Sequence, residues 1–103
     1  MAIKIYPNEH SFYLNRADVY VEMGMYPQAI ADYDKALALK PNDYKIYIAR
    51  GLVYYNMKHY DEAILDYSFA MELNPTTHHA YLNRGLAYHA LRRFEVCRYW
   101  QFN

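Results

Sequence analysis

Apolar and aromatic side chains recur along this chain at the spacing of helical turns. Between residues 44 and 77 the pattern predicts two helices, over residues 44–57 and 61–73, joined by a short turn. Asp61 can cap the start of the second helix, and Pro75 stops it two residues after its last apolar position. The centre of the chain is therefore predicted to be a helical hairpin.

Similar patterns occur before and after this hairpin. They predict further helices over residues 11–23, 27–39 and 78–91, with residues 93–95 fitting the start of another. Gly24 lies at the first turn, where a glycine adopts positive φ at little cost, and Pro27 suits the first turn of the next helix. We therefore expect an all-α chain of antiparallel helix pairs.

A period of 34 residues relates these helix pairs. Like residues recur at that spacing in the sets Pro7, Pro41, Pro75; Tyr13, Tyr47, Tyr81; Tyr20, Tyr54, Tyr88; and Ala29, Ala63. Helix–turn–helix units of this period, with aromatic, small and proline residues at these places, resemble the tetratricopeptide repeat (TPR) family. In the central repeat the places are Tyr47, Gly51, Tyr54, Ala63, Tyr67, Ala70 and Pro75. The resemblance implies an α-solenoid of about three repeats with incomplete ends.

The period divides the chain into four parts. Residues 1–9 match the end of a preceding repeat, residues 10–43 and 44–77 are complete repeats, and residues 78–103 are a truncated one. We expect either a piece of a longer array or a short chain whose ends associate. In the second case the exposed apolar residues of the ends would mediate head-to-tail or tail-to-tail contacts: Ile3, Ile5, Phe94, Tyr99, Trp100 and Phe102.

Charge and composition exclude some classes of binding partner. Lys and Arg together number 11 and Asp and Glu 11, so no basic field exists to attract nucleic acid or anionic lipid. No apolar run reaches the roughly 18 residues that cross a bilayer. Cys97 is the single cysteine, which excludes an internal disulfide framework and fits a reducing compartment. We expect a cytoplasmic protein that binds neither nucleic acid nor membrane and that can form a homo-oligomer.

No motif for chemistry stands out. The sequence has no glycine-rich phosphate loop, no cysteine pair and no arrangement of Ser, His and Asp that the helices would bring together. Its histidines lack the spacing of metal ligands, so we interpret them as residues of helix starts and of the groove rather than a metal site. Cys97 has no neighbouring base. We expect no enzyme activity, no cofactor and no metal.

Three arginines share the period, namely Arg16, Arg50 and Arg84. They could form a basic binding stripe on the first helices. Alternatively they pair with Asp32 and Asp66, which recur with the same period on the second helices. Because the acidic residues have matching spacing, the structural ladder is the better interpretation. Pairing within a repeat and pairing between repeats both remain open.

The resemblance also implies a concave face, lined by the first helix of each repeat, that binds a peptide or protein partner. The residues placed there are Asn15, Asp18, Lys45, Ile48, Leu52, Tyr55, His79, Leu82, Asn83, Leu86 and His89. The apolar ones among them suit a peptide-binding surface, although ordinary packing between helices would also explain some. We expect a non-catalytic interaction scaffold. The alternative is a structural module that self-associates through its ends.

One branch of the family binds the C-terminal carboxylate of chaperones through a clamp of lysines, asparagines and an arginine. At the corresponding positions this chain has Leu14, Asp18, Ala49, His79 and Asn83. The clamp is therefore absent, and the resemblance does not extend to chaperone-tail recognition.

Overall fold

The computed structural model describes the backbone of residues 9–100 and the side chains of residues 9–92. Over that range the chain forms five helices and no strand. The helices are α1 (Glu9–Glu22), α2 (Tyr26–Leu39), α3 (Tyr44–Asn56), α4 (Tyr60–Leu73) and α5 (His78–Trp100). Short turns make α1 and α2 one antiparallel pair and α3 and α4 another, and α3 also packs against α2 and α5. The first four helices lie within two residues of the predicted bounds.

Local sequence explains where the helices begin. The Asp43 carboxylate accepts a hydrogen bond from the Lys45 backbone N–H at 3.1 Å, which caps α3. The Asn74 side-chain oxygen accepts hydrogen bonds from the backbone N–H of Thr76 at 3.2 Å and its hydroxyl at 2.7 Å, which orders the turn before α5. Pro27 occupies the first turn of α2, as the sequence predicts.

Two turns use a residue with left-handed backbone. Gly24 ends the turn after α1 with φ of 75°, and Lys58 occupies the equivalent position after α3 with φ of 65°. Glycine adopts this conformation freely, whereas the Cβ of lysine makes it unfavourable. The second hairpin therefore has a strained residue where the first has a relaxed one.

Replacing Lys58 with glycine should raise the free energy of unfolding by about 0.5–1 kcal/mol, because it removes the unfavourable left-handed conformation of a residue with a Cβ. Urea unfolding followed by circular dichroism measures the change. Lys58→Ala is the matched control, since alanine removes the same charged side chain but keeps the Cβ. Equal stability of the two variants would contradict backbone strain at this turn.

The third helix pair differs from the prediction. We expected the helix that starts at residue 78 to end near residue 91 and a second to start near 93, but α5 continues unbroken to Trp100. Arg92 stands where Gly24 and Lys58 adopt positive φ, and its neighbours Ala90 and Leu91 favour helix strongly. Without a turn residue the helix continues, so residues 93–100 do not fold back along α5.

Small residues allow the helices of each pair to approach closely. Ala17, Ala29 and Ala36 are fully buried between α1 and α2. Gly51 of α3 is buried against the ring of Tyr67, and a Cβ on Gly51 would lie only 2.7 Å from Tyr67 Cε1. In the first two helix pairs, small residues therefore lie where the two helices pack closely.

The residues predicted to mediate self-association lie outside the described part of the structure. Ile3, Ile5 and Phe102 fall in residues 1–8 and 101–103. Phe94, Tyr99 and Trp100 are on α5 beyond the last described side chain. Self-association through the ends therefore stays a prediction, as does the division of the chain into repeats at residues 9, 43 and 77.

Candidate functional site

Helices α3 and α5 contact each other, and both carry residues that the sequence predicts for the groove. Ile48, Leu52 and Tyr55 occupy successive turns of α3, and Leu82, Leu86 and His89 occupy the same turns of α5. Leu52, Leu82 and Leu86 are 46%, 65% and 48% exposed. Because large apolar side chains are this accessible, they do not serve only as packing between helices. We call the surface formed by these six residues the groove.

A first depression lies at the end of the groove where α3 and α5 begin. It has a volume of about 310 Å³ and is lined by Tyr44, Lys45, Ile48, Thr77 and His79. The Lys45 ammonium, the His79 imidazole and the hydroxyls of Tyr44 and Thr77 can all donate hydrogen bonds, while Ile48 supplies an apolar wall. This chemistry suits a carboxylate or another acidic group. We call it the cationic depression.

A second depression lies where α3 ends and α4 begins, beside the middle of α5. It has a volume of about 280 Å³ and is lined by Tyr55, Tyr60, Leu86, His89 and Ala90. The rings of Tyr55 and Tyr60 meet edge to face, with centroids 5.4 Å apart. Aromatic rings around a small cavity suit a large apolar side chain, and the tyrosine hydroxyls leave its rim polar. We call it the aromatic depression.

The structure brings some of the predicted groove residues together and leaves others apart. Lys45, Ile48 and His79 line the cationic depression, and Tyr55, Leu86 and His89 line the aromatic one. The remaining predicted residues line neither: Asn15, Asp18, Leu52, Leu82 and Asn83. Leu52 and Leu82 lie between the depressions, whereas Asn15 and Asp18 belong to α1.

Sequence reasoning missed four residues of the depressions, one of which, Ala90, lies within α5, while the other three lie at helix ends. Tyr44 and Thr77 flank the starts of α3 and α5, and Tyr60 is the first residue of α4. For Tyr60 a signal existed, because Tyr26, Tyr60 and Phe94 are spaced 34 residues apart. Tyr44, Tyr60 and Thr77 lie at the ends of helices, where helical periodicity does not predict which way a side chain points.

Asp18 has a structural partner beside the groove. It accepts a hydrogen bond at 2.9 Å from the hydroxyl of Tyr33, which is nearly fully buried. Burial, together with this hydrogen bond and the negative charge of Asp18, raises the pKa of Tyr33, so its hydroxyl remains a donor at neutral pH.

The equivalent hydroxyl of the second helix pair lacks such a partner. Tyr67 corresponds to Tyr33, but the position of Asp18 is taken by Leu52. The Tyr67 hydroxyl is buried, and none of the residues that the structure describes forms a hydrogen bond with it. Desolvation raises the pKa of Tyr67 and keeps the hydroxyl neutral. A buried donor without an acceptor destabilises this part of the fold.

Arg16 and Arg50 pair with aspartates in a structural ladder rather than forming a free basic stripe. Arg16 Nε and Nη2 donate to both carboxylate oxygens of Asp32 at 2.7 and 2.8 Å. Arg50 donates in the same way to Asp66 at 2.9 and 2.8 Å. Arg50 also donates from Nη1 to Asp34 of the preceding pair at 2.6 Å. Pairing therefore occurs both within a helix pair and between pairs.

The pKa values of the two buried aspartates of the ladder, Asp32 and Asp66, are shifted in opposite directions. The hydrogen bonds from Arg16 hold the pKa of Asp32 below its ordinary value. Burial instead raises the pKa of Asp66, and the neighbouring carboxylates Asp34 and Glu62 add to the effect against the opposing hydrogen bonds of Arg50. The arginine therefore stabilises the charged form of both aspartates, and burial opposes it more strongly at Asp66.

The described residues show no other chemical centre. Between residues 9 and 92 no group of three or more His, Cys, Asp and Glu side chains is arranged to hold a metal ion. In the same part of the chain, no helix combines the length and the apolar character needed to cross a bilayer.

Two family models match the chain in overlapping segments. One, described as a TPR repeat, matches residues 17–58, and the other, described as a tetratricopeptide repeat, matches residues 44–77. The chain belongs to the tetratricopeptide repeat family. A comparison of this TPR chain with curated protein sequences gives no significant match.

Solved TPR domains share its fold. The first TPR of Spaghetti (RPAP3), solved bound to the HSP90 peptide SRMEEVD, is 26% identical with a TM-score of 0.79, over 91% of this chain and 75% of that one. The first TPR domain of human RPAP3 is 28% identical with a TM-score of 0.79, over 86% and 70%. The Arabidopsis OM64 TPR domain is 28% identical with a TM-score of 0.70, over 76% and 64%. The predicted all-α solenoid of about three TPR units is confirmed.

Proposed function

We propose that this TPR chain is a non-catalytic interaction scaffold that binds an extended peptide segment of a partner protein along the groove. The observation that carries the proposal is the pair of chemically different depressions, joined by exposed leucines of α3 and α5. A similar TPR domain was solved with a bound peptide, which supports a peptide as the class of ligand.

The geometry of the groove defines the peptide it fits. Lys45 and Tyr55 are ten residues apart on α3, which at the rise of a helix separates the depressions by about 15 Å. An extended peptide covers that distance in about four or five residues. The ligand therefore carries an acidic group for the cationic depression and, about four or five residues away, a large apolar side chain for the aromatic one.

The end group of the ligand differs from a chaperone tail. The clamp positions of the chaperone-binding branch hold Leu14, Asp18, Ala49, His79 and Asn83 here. Leu14 and Ala49 have no hydrogen-bond donor in the side chain, and Asp18 would repel a carboxylate. The residues of this chain are better suited to bind one acidic side chain, near Lys45 and His79, than to bind a C-terminal carboxylate in the way that the clamp does.

Lys45→Glu should weaken binding of the selected peptides at least tenfold, because it replaces an attractive charge in the cationic depression with a repulsive one. The peptides are obtained by selecting a displayed library of random sequences against the wild-type chain, and affinities are measured by fluorescence polarisation. Lys40→Glu is the matched control, since Lys40 is an exposed lysine outside both depressions. Equal losses in the two variants would show a non-specific charge effect and reject the cationic depression.

Leu52→Asp provides a second groove variant that tests binding without loss of the fold. It places a carboxylate at the position equivalent to Asp18, and by analogy with the first pair this carboxylate can accept a hydrogen bond from the Tyr67 hydroxyl, which has no partner among the described residues. The variant should keep its stability but lose affinity for the apolar part of the peptide. If peptides selected on the wild type bind Leu52→Asp unchanged, they do not lie in the groove.

A further inference from the structure

A second surface of α5 is exposed next to the groove. Tyr81, Arg84, Gly85 and Tyr88 share one face of this helix, at spacings of three and four residues. Tyr81 and Tyr88 are 48% and 52% exposed, and a Cβ added to Gly85 would meet no atom within 4 Å. We call these four residues the open face.

The same positions are covered in the two preceding helix pairs. On α1 they are Tyr13, Arg16, Ala17 and Tyr20, and on α3 they are Tyr47, Arg50, Gly51 and Tyr54. Ala17 and Gly51 are buried, and none of the four tyrosines is among the exposed large side chains. The covering helix is α2 in the first pair and α4 in the second, so the open face has the form of an interface without its second helix.

Arg84 shows what chemistry the missing helix would bring. Arg16 and Arg50 each donate two hydrogen bonds to a buried aspartate of the paired helix. Within the part of the chain with described side chains, Arg84 donates one hydrogen bond, at 3.3 Å to the hydroxyl of Ser68. The guanidinium is thus held at the position where its counterparts bind a carboxylate in a bidentate manner.

Among the described residues, no carboxylate forms a hydrogen bond with Arg84. Residues 93–100 extend α5 and do not return along it. In the register of the repeat, Trp100 and Gln101 stand at the positions of Asp66 and Tyr67. The same segment of a second copy would bring no acid opposite Arg84 either, so charge complementarity favours a different protein.

We propose that the open face binds an amphipathic helix of a partner protein, antiparallel to α5, with an acidic side chain for Arg84 and an aromatic ring for Gly85. The register follows from α4, where Asp66 pairs with Arg50 and the ring of Tyr67 lies on Gly51. Ala63 and Ala70 flank these two residues in α4 and are fully buried. The partner helix therefore carries Ala-x-x-Asp-Tyr-x-x-Ala or a close variant, and it binds independently of any peptide in the groove.

The test uses a helix-stabilised peptide with the sequence of α4, Tyr60–Leu73, added to the full isotope-labelled chain. Binding should shift the amide resonances of Tyr81, Arg84, Gly85 and Tyr88 and leave those of α1 unchanged. Arg84→Met and Gly85→Leu should each weaken the peptide at least tenfold, and so should Asn in place of the aspartate in the peptide. Gly85→Leu adds its side chain to open space, so a loss of binding is not a loss of fold.

Three results would overturn the proposal. Absence of shifts on the open face at millimolar peptide would show that α5 does not accept a helix there. Full affinity in Arg84→Met would remove the role of the acidic residue. Sedimentation of the wild type as a dimer that Gly85→Leu dissociates would make a second copy the occupant. Lys45→Glu, which disrupts the groove, should leave this binding unchanged, so failure of the two sites can be told apart.

Discussion

Replacing Gly51 with leucine should destabilise the protein by about 3 kcal/mol, the upper end of the usual cost of overpacking a core. Even the first added carbon would lie 2.7 Å from Cε1, 3.0 Å from Cδ1 and 3.2 Å from Cζ of Tyr67. The ring of Tyr67 is fully buried, so it cannot swing into solvent, and α3 and α4 must separate instead. Urea unfolding of the variant and the wild type measures the loss.

Gly85→Leu is the matched control for that prediction. It makes the same substitution one repeat later, where the added side chain meets no atom within 4 Å. Because glycine inside a helix is unfavourable, this variant should be as stable as the wild type or more stable by up to about 1 kcal/mol. Similar losses from both substitutions would mean that Gly51 is not at a helix crossing.

Replacing Asp66 with alanine should cost about 3 kcal/mol, because it leaves the Arg50 guanidinium without its buried acceptor. The Asp66 carboxylate is 3% exposed and accepts two hydrogen bonds from Arg50, whose own side chain is 20% exposed. We expect the lower end of the range for broken buried ion pairs, since Arg50 keeps its contact with Asp34. Thermal and urea unfolding both report the change.

Asp34→Ala is the control, since it removes the other carboxylate that contacts Arg50. Asp34 is 54% exposed, and pairs at the surface contribute less than about 1 kcal/mol. The ordering of the two variants is the decisive result. A loss from Asp34→Ala as large as that from Asp66→Ala would show that burial does not determine the strength of the ladder.

Much of the fold could be predicted from the sequence, because the residues that pack recur with the period. Tyr13 and Tyr47, Ala29 and Ala63, and the arginine and aspartate sets repeat at 34 residues, and each repetition supports the same helix pair. The identity of the pairs within the ladder could not be predicted. Arg50 lies 16 residues from both Asp34 and Asp66, so sequence spacing alone gave no preference.

The length of α5 and the environment of Tyr67 could not be predicted, because each depends on a residue type that the repeat lacks at one position. The period places a turn at Arg92, but the local helix propensity of Ala90 and Leu91 overrides it and α5 continues. Among the described residues the Tyr67 hydroxyl has no acceptor, because Leu52 stands where Asp18 accepts a hydrogen bond from Tyr33 in the first pair. The two depressions involve residues at helix ends, whose direction depends on the turns.

Arg50 contacts carboxylates of two helix pairs, and this affects how the stability of one pair depends on that of the next. By contacting Asp34 of α2 and Asp66 of α4, Arg50 couples the first two helix pairs, so loss of either pair leaves its charge unbalanced. Among the described side chains, Arg84 forms one hydrogen bond across the next junction, at 3.3 Å with Ser68. In a linear array, stability is the sum of the units and their nearest-neighbour couplings. Charge therefore couples the first two helix pairs, whereas α5 is joined to α4 mainly by packing.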